Sequence, residues 1–302
     1  MNLWIPERSG SDAIGDLPEG VSLQIVPRGG EVPPGLIDAE FLVLTSRDRR
    51  ALELLARMSS LRVIQTISAG VDWVLPLVPS GVTLCDAGGS RNTAVAEWVL
   101  AATLASLREL PELRDRQRAH EWAWRRSREL AGSTVLILGY GAIGTAVEER
   151  LEPFDVEVIR VARSARAGVH SSDELASLLP LADVVVVLLP LTPDTTGLLG
   201  AELLARMHDG ALLVNAARGP IVDTGALLEL LRARRIRAAL DVTEPEPLSV
   251  DQPLWDAPGT LITPHYAGDT LAADRRAFAL VGEQVRRYVH GEPLVNVVEG
   301  GY

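Results

Sequence analysis

Thr134-Val135-Leu136-Ile137-Leu138 runs directly into Gly139-Tyr140-Gly141-Ala142-Ile143-Gly144, and then into a stretch patterned as a helix up to Leu151. The apolar, β-branched pentapeptide predicts a buried strand, and a G-x-G-x-x-G loop between strand and helix predicts a phosphate cradle. Gly139 permits the tight turn, Gly141 leaves bare backbone for a pyrophosphate, and Gly144 lets the helix lie close on its strand. The helix start at Ala142 and Ile143 then offers free N–H groups and the positive end of the helix dipole.

Strand-like and helix-like stretches alternate on both sides of this loop. Strands are expected at 2–5, 22–26, 41–45, 62–66 and 82–85, then at 134–138, 156–161, 184–188, 211–214, 238–241 and 260–262. Helical periodicity covers 48–58, 93–108, 142–151, 172–179, 223–232 and 271–289. Such alternation predicts parallel sheets with helices on both faces, an α/β architecture that here occurs twice. The run 184–188 shows no polar alternation, as expected of a central strand buried on both faces. A turn-rich break at 86–92 separates the two halves, and the closing helix is expected to return to the first. The expected division is residues 1–90 plus 271–302 as a discontinuous substrate-binding domain, and 91–270 as the dinucleotide-binding domain.

The composition is consistent with this. A chain of 302 residues suits two domains of ~150. Apolar residues make up 47% and aromatics only 4%, so Leu, Val, Ile and Ala must build the cores. No apolar run approaches the ~20 residues of a membrane span, and the N-terminus lacks the pattern of a signal peptide. One cysteine, Cys85, excludes an internal disulfide and a cysteine-based zinc cluster. It ends an apolar run and reads as a buried, inert thiol in a reducing, cytoplasmic setting. No metal site is expected. The net charge of −11 argues against nucleic acid as a partner. All 29 basic residues are arginine, which excludes Schiff-base chemistry and the lysine of a Walker A loop. The segment 114–128 mixes arginines with Trp122 and Trp124; acidic residues dilute its charge, and a solvated helix end or a subunit interface is expected.

The second strand of the dinucleotide unit bears on the cofactor. A carboxylate about 20 residues after the glycine loop ordinarily holds the ribose 2′-OH of NAD. Here that position is Ala162, followed by Arg163-Ser164-Ala165-Arg166. Arg163, with Ser164 and Arg166, is suited to grip a 2′-phosphate, so NADPH is expected over NADH, with NAD still possible.

Three late segments gather titratable groups: Asn215 to Asp223, Asp241 to Leu248, and Thr263 to Gly268. Each follows a predicted parallel strand, the side where ligands bind in such sheets. An arginine can clamp a carboxylate, and a histidine beside a carboxylate can shuttle a proton.

With these segments in order, the sequence resembles the D-isomer-specific 2-hydroxyacid dehydrogenases, from Ser68-Ala69-Gly70-Val71-Asp72 to the terminal helix and most densely between Gly132 and Gly268. The stretches Ala182-Asp183-Val184 to Thr196, Asn215 to Asp223, and Pro264-His265 are similar to the family's signature regions. The resemblance implies two doubly wound, Rossmann-like domains with the active site in the cleft between them. It implies that Arg218 binds the substrate carboxylate, that His265 is the general acid/base, and that Glu246 pairs with it, with Glu244 as a nearby decoy. It implies that Ala69 and Gly70 meet the substrate carboxylate through backbone N–H groups, and that Asp241 holds the nicotinamide carboxamide. Pro190 and Thr195 match positions on the adenosine and ribose side, and Ala216 and Gly268 are counted with the dinucleotide contacts. The implied reaction interconverts a small 2-keto acid and its D-2-hydroxy acid in a homodimer, nearest the glyoxylate and hydroxypyruvate reductases.

Two departures from the family pattern stand out: Ala162 replaces the usual acid, and Tyr266 follows the histidine where a small aliphatic residue is usual. Tyr266 either shapes the substrate side or packs. Arg47 is either a second clamp for an acidic substrate or a surface residue. Formate dehydrogenases differ by a glutamine at the position of Glu246. Phosphoglycerate dehydrogenases often carry a regulatory domain for which 302 residues leave no room. Phosphite dehydrogenases keep the Arg, Glu and His pattern and stay open as an alternative. So does a non-catalytic dinucleotide sensor of the corepressor kind, against which the intact Arg218, Glu246 and His265 set argues.

Overall fold

The computed structural model describes residues 1–27, 31–46 and 48–298. The chain divides into two compact units, Met1–Asn92 with the residues from Asp269 onward, and Thr93–Gly268.

The first unit is built on five parallel strands, β1 (Asn2–Pro6), β2 (Ser22–Val26), β3 (Phe41–Leu44), β4 (Val63–Thr66) and β5 (Thr83–Cys85), in the order β2-β1-β3-β4-β5. Alternate residues feed opposite layers, as a pleated strand requires. Leu3, Ile5, Phe41 and Val43 enter one core and Trp4, Leu42 and Leu44 the other. The first core is closed by the last helix, Leu271–His290, through Ala277, Phe278, Val281 and Val285. Gly282 makes that approach possible, because a Cβ there would stand 2.0 Å from the carbonyl oxygen of Ile14. A mostly buried ion cluster joins distant parts of this unit: Asp274 accepts from Arg8 Nε at 2.7 Å and from Arg91 Nη2 at 3.0 Å, and Arg8 also pairs with Asp269. Cys85 is fully buried, and burial pushes its thiol up to about 11, so it stays protonated and inert near neutral pH.

The second unit carries seven parallel strands: β6 (Thr134–Leu138), β7 (Glu157–Ala162), β8 (His170–Ser171), β9 (Val184–Val187), β10 (Leu212–Asn215), β11 (Arg237–Leu240) and β12 (Thr260–Ile262). Their order is β12-β11-β10-β9-β6-β7-β8. Strand β9 is buried throughout: Val184 and Val186 pack with Val135 and Ile137 on one face, Val185 and Val187 with Leu136 and Leu138 on the other. That two-sided burial is why the segment lacks polar alternation. The strand order reverses between β6 and β9, which makes their carboxyl ends the topological switch point where such sheets bind ligands.

The α/β class and the two parallel sheets agree with the sequence reading. Several short elements escaped it, among them one strand, two α-helices and the 3-10 turns at Ser11–Ile14 and Pro34–Asp38. Strand β8 has two residues, too few for any period. The helices Leu110–Arg118 and Ala201–Ala205 bury none and one of their residues, so no apolar stripe announces them. Among the described residues, no helix is long and apolar enough to cross a membrane.

Candidate active site

The glycine loop leaves β6 at the switch point. Gly139 has φ 105°, and a Cβ there would lie 2.6 Å from the backbone of Leu188 at the end of β9. Only glycine fits both the backbone angle and the gap. Gly144 sits beneath it, its Cβ position 3.0 Å from the carbonyl of Gly139. Gly141 is different: nothing lies within 4 Å of its Cβ position. The helix Ala142–Leu151 starts there without a side-chain cap, so its first N–H groups are left to an external acceptor. Bare backbone, open space and an uncapped helix start fit a dinucleotide pyrophosphate.

The end of β7 lies beside that of β6. Ala162 closes the strand and carries no carboxylate, and Arg163 and Ser164 beyond it are exposed. The hydroxyls of Ser171 and Ser172 donate to the Arg163 carbonyl at 3.3 and 3.4 Å, which fixes the backbone of that turn. Arg166 folds back: its Nη2 donates to the Tyr140 carbonyl at 2.6 Å, and its guanidinium lies 6.0 Å from the Tyr140 ring centre. Arg160 lies 5.7 Å from the same ring and donates Nε to Glu148 at 2.8 Å, holding that carboxyl below its usual range. Thr195 ties its hydroxyl to the Pro190 carbonyl at 2.7 Å, bracing the loop after β9.

Strands β10, β11 and β12 are neighbours and parallel, so the loops that follow them emerge side by side. The loop after β10 carries Arg218. Buried Asn215 holds it, accepting from the Ala217 N–H at 3.0 Å and donating Nδ2 to the Arg218 carbonyl at 3.1 Å. Arg218 is half-buried and donates Nη1 to the Ala217 carbonyl at 2.7 Å. Gly219 then passes so near the loop after β11 that a Cβ would fall 2.0 Å from the Thr243 carbonyl oxygen.

The loop after β11 supplies Glu246, and the turn after β12 supplies His265. Glu246 Oε1 and His265 Nδ1 are 2.8 Å apart, both partly open to solvent. With Nδ1 engaged, Nε2 is the ring nitrogen left for a reacting atom. His265 has φ 51°, a left-handed backbone that a residue other than glycine holds at a cost of ~1–2 kcal/mol. Asp241 supports that turn, accepting from Thr263 Oγ1 at 2.6 Å and from the N–H groups of Tyr266 and Ala267 at 2.9 Å each. Its main-chain carbonyl accepts from the His265 N–H at 2.7 Å. Tyr266 is half-exposed, and Glu244, two positions before Glu246 in the chain, is exposed.

The structure therefore joins Glu246, His265 and Asp241 directly, with the Arg218 loop alongside. Ala216 and Gly268 stand at the edges of the same group of loops and are half-buried. Ala69 and Gly70 belong to the first unit, after β4; there the Gly70 carbonyl accepts from Ser68 Oγ at 3.0 Å and from Trp73 Nε1 at 2.9 Å. Arg47 lies outside the described residues. Sequence reading assigned no role to Asn215, Gly219 or Thr263. A polar residue closing an apolar strand is the available signal for Asn215; Gly219 and Thr263 show their importance only through partners distant in sequence. Among the described residues, no group of three or more His, Cys, Asp or Glu is placed to hold a metal ion.

A family model described as D-isomer specific 2-hydroxyacid dehydrogenase, NAD binding domain, matches residues 100–267. The chain is 34% identical over 274 residues to a D-3-phosphoglycerate dehydrogenase of Methanocaldococcus jannaschii, covering 86% of this chain and 52% of that protein. It thus spans about half the length of the phosphoglycerate dehydrogenases it matches. Among solved structures it is similar to a D-isomer specific 2-hydroxyacid dehydrogenase from Xanthobacter autotrophicus in complex with NADPH and MES, with TM-score 0.83, 32% identity, and coverage of 99% of this chain and 97% of the other. It is also similar to an NADPH-dependent glyoxylate/hydroxypyruvate reductase from Sinorhizobium meliloti in complex with NADP and sulfate, with TM-score 0.83, 29% identity, and coverage of 99% and 98%.

Proposed function

The chain belongs to the D-isomer-specific 2-hydroxyacid dehydrogenase family, and from that membership we propose that it reduces a small 2-keto acid to its D-2-hydroxy acid, with NADPH preferred. The observation that carries this reading is the Glu246–His265 contact at 2.8 Å, on loops that emerge next to the one bearing Arg218.

The proposed division of labour follows from charge. A bound nicotinamide supplies the hydride. Arg218 binds the substrate carboxylate and stabilises the negative charge that develops on the C2 oxygen. His265, protonated, gives its Nε2 proton to that oxygen, and Glu246 orients the imidazole through Nδ1. The second unit would hold the dinucleotide along Gly139, Gly141, Gly144, Pro190 and Thr195. The missing carboxylate at Ala162 and the exposed Arg163 support NADPH, as do the NADPH and NADP complexes of the two structural relatives. The glyoxylate/hydroxypyruvate reductase supports two-carbon and three-carbon keto acids as the first candidates. The one buried thiol supports a reducing, cytoplasmic setting.

The test is oxidation of NADPH and of NADH, followed separately against glyoxylate, hydroxypyruvate, phenylpyruvate and pyruvate. Turnover faster with NADPH supports the reading; absence of turnover with every pair rejects it. Arg163→Asp is expected to move the kcat/KM ratio of NADPH to NADH by roughly 10–10²-fold toward NADH, since it removes a charge-assisted contact and adds a repulsive carboxylate. An unchanged ratio would remove Arg163 from the 2′-phosphate site.

We also propose a homodimer. Trp122 and Trp124 are 103% and 79% exposed, and beside that segment a groove of about 440 Å³ is lined by Leu104, Leu110 and Leu113 together with Arg108, Glu109 and Arg125. Large exposed aromatics next to a groove that mixes leucines with arginines are features of a surface that a partner covers. Light scattering should return twice the 32.5 kDa of one chain. The double substitution Trp122→Ser, Trp124→Ser should return the single mass.

A further inference from the structure

Asp241 lies at the end of β11 with 2% of its surface exposed. A carboxylate has about four acceptor sites, and here three of them serve Thr263, Tyr266 and Ala267. These donors bracket His265 on both sides in the chain, and the backbone between them is left-handed at φ 51°. A left-handed histidine persists only where its surroundings hold it there. Two main-chain bonds, the one from Ala267 buried and the one from Tyr266 partly so, and one hydroxyl bond, all directed to one side chain, provide that hold.

We propose that Asp241 is the positioning residue for His265: it fixes the turn from Thr263 to Ala267 so that Nδ1 meets Glu246 and Nε2 is presented to the substrate. The inference rests on the reading of His265 as the acid/base. It differs from a direct role for Asp241 on the cofactor, because Asp241 then acts through the turn and governs kcat more than cofactor affinity.

Two substitutions test this. Asp241→Asn is nearly isosteric, but its amide sets an N–H donor against the N–H donors of the turn. Thr263→Val leaves the Asp241 side chain in place and removes only the hydroxyl bond. The first measurement needs no activity: amide hydrogen exchange at Tyr266 and Ala267 in protein whose circular dichroism and melting show a folded state. Exchange there is expected to rise by at least about tenfold in Asp241→Asn and by a few-fold in Thr263→Val, with the core of β6 unchanged. The second is the kinetic split. A displaced histidine is expected to lower kcat by roughly 10²-fold in Asp241→Asn and about tenfold in Thr263→Val, while the Kd for NADPH stays within about threefold. Unchanged exchange in the folded variants overturns the proposal. So does a Kd for NADPH raised at least tenfold with kcat at saturating cofactor retained. If the native chain turns over none of the four keto acids, the proposed function fails and the exchange measurement alone decides the role of Asp241.

Discussion

Replacing His265 with alanine is expected to lower turnover of a 2-keto acid by about 10²–10⁴-fold, the ordinary worth of a positioned proton donor. The fold should survive, because the side chain lies at the surface and its ion pair with Glu246 is itself partly solvated. The backbone calls for a companion variant. At φ 51° alanine is less tolerant than histidine, so a general loosening of the turn would imitate a chemical loss. His265→Asn removes the proton carrier while keeping a side chain that accepts left-handed geometry. Both variants should therefore lose kcat alike, and melting of the asparagine variant should match that of the native chain. Initial rates of NADPH oxidation at saturating keto acid measure this. Near-full turnover in either folded variant would take the acid/base role away from His265.

Gly219→Ala is expected to cost about 3 kcal/mol of stability, at the upper end for overpacking, because the added methyl would stand 2.0 Å from the Thr243 carbonyl oxygen. That oxygen belongs to backbone and cannot swing aside as a flexible side chain would. In a unit of this size such a loss lowers Tm by roughly 6–12 °C, readable by calorimetry. The relief available is for the two loops to separate, and Arg218 is the adjoining residue. Activity should therefore fall further than stability alone explains, with the rise in KM for the keto acid exceeding that for NADPH. A variant that melts like the native chain would mean the two loops have slack that the observed packing does not suggest.

These two variants mark different degrees of legibility. His265 was singled out through the family resemblance of the Pro264-His265 turn, since a lone histidine after a strand reads by itself as an ordinary satisfied side chain, and its partner Glu246 follows a different strand. The glycine loop was legible directly, since strand, turn and helix start follow one another in the chain. Gly219 was not, because its partner Thr243 lies on a different loop and only the pairing of β10 with β11 brings them together. Asn215 and Asp241 sit between these cases. Each is a polar residue after an apolar strand, but whether it faces a ligand or ties down its own loop depends on where the next turn closes. The helix Leu110–Arg118 stayed hidden because it buries nothing, and apolar periodicity reports only burial.

By itself the sequence determined the α/β class, the two parallel sheets, the phosphate loop and the residue types available for proton transfer. Each of these is written in short-range patterns: burial sets the apolar runs, glycine marks the left-handed turn, and helices alternate with strands. Only the tertiary structure decided which side chains meet. Parallel strands deliver their loops to one edge whatever the distance in sequence, so the order β12-β11-β10 set Glu246 against His265, Gly219 against Thr243, and the Asp241 carboxylate beneath the histidine turn.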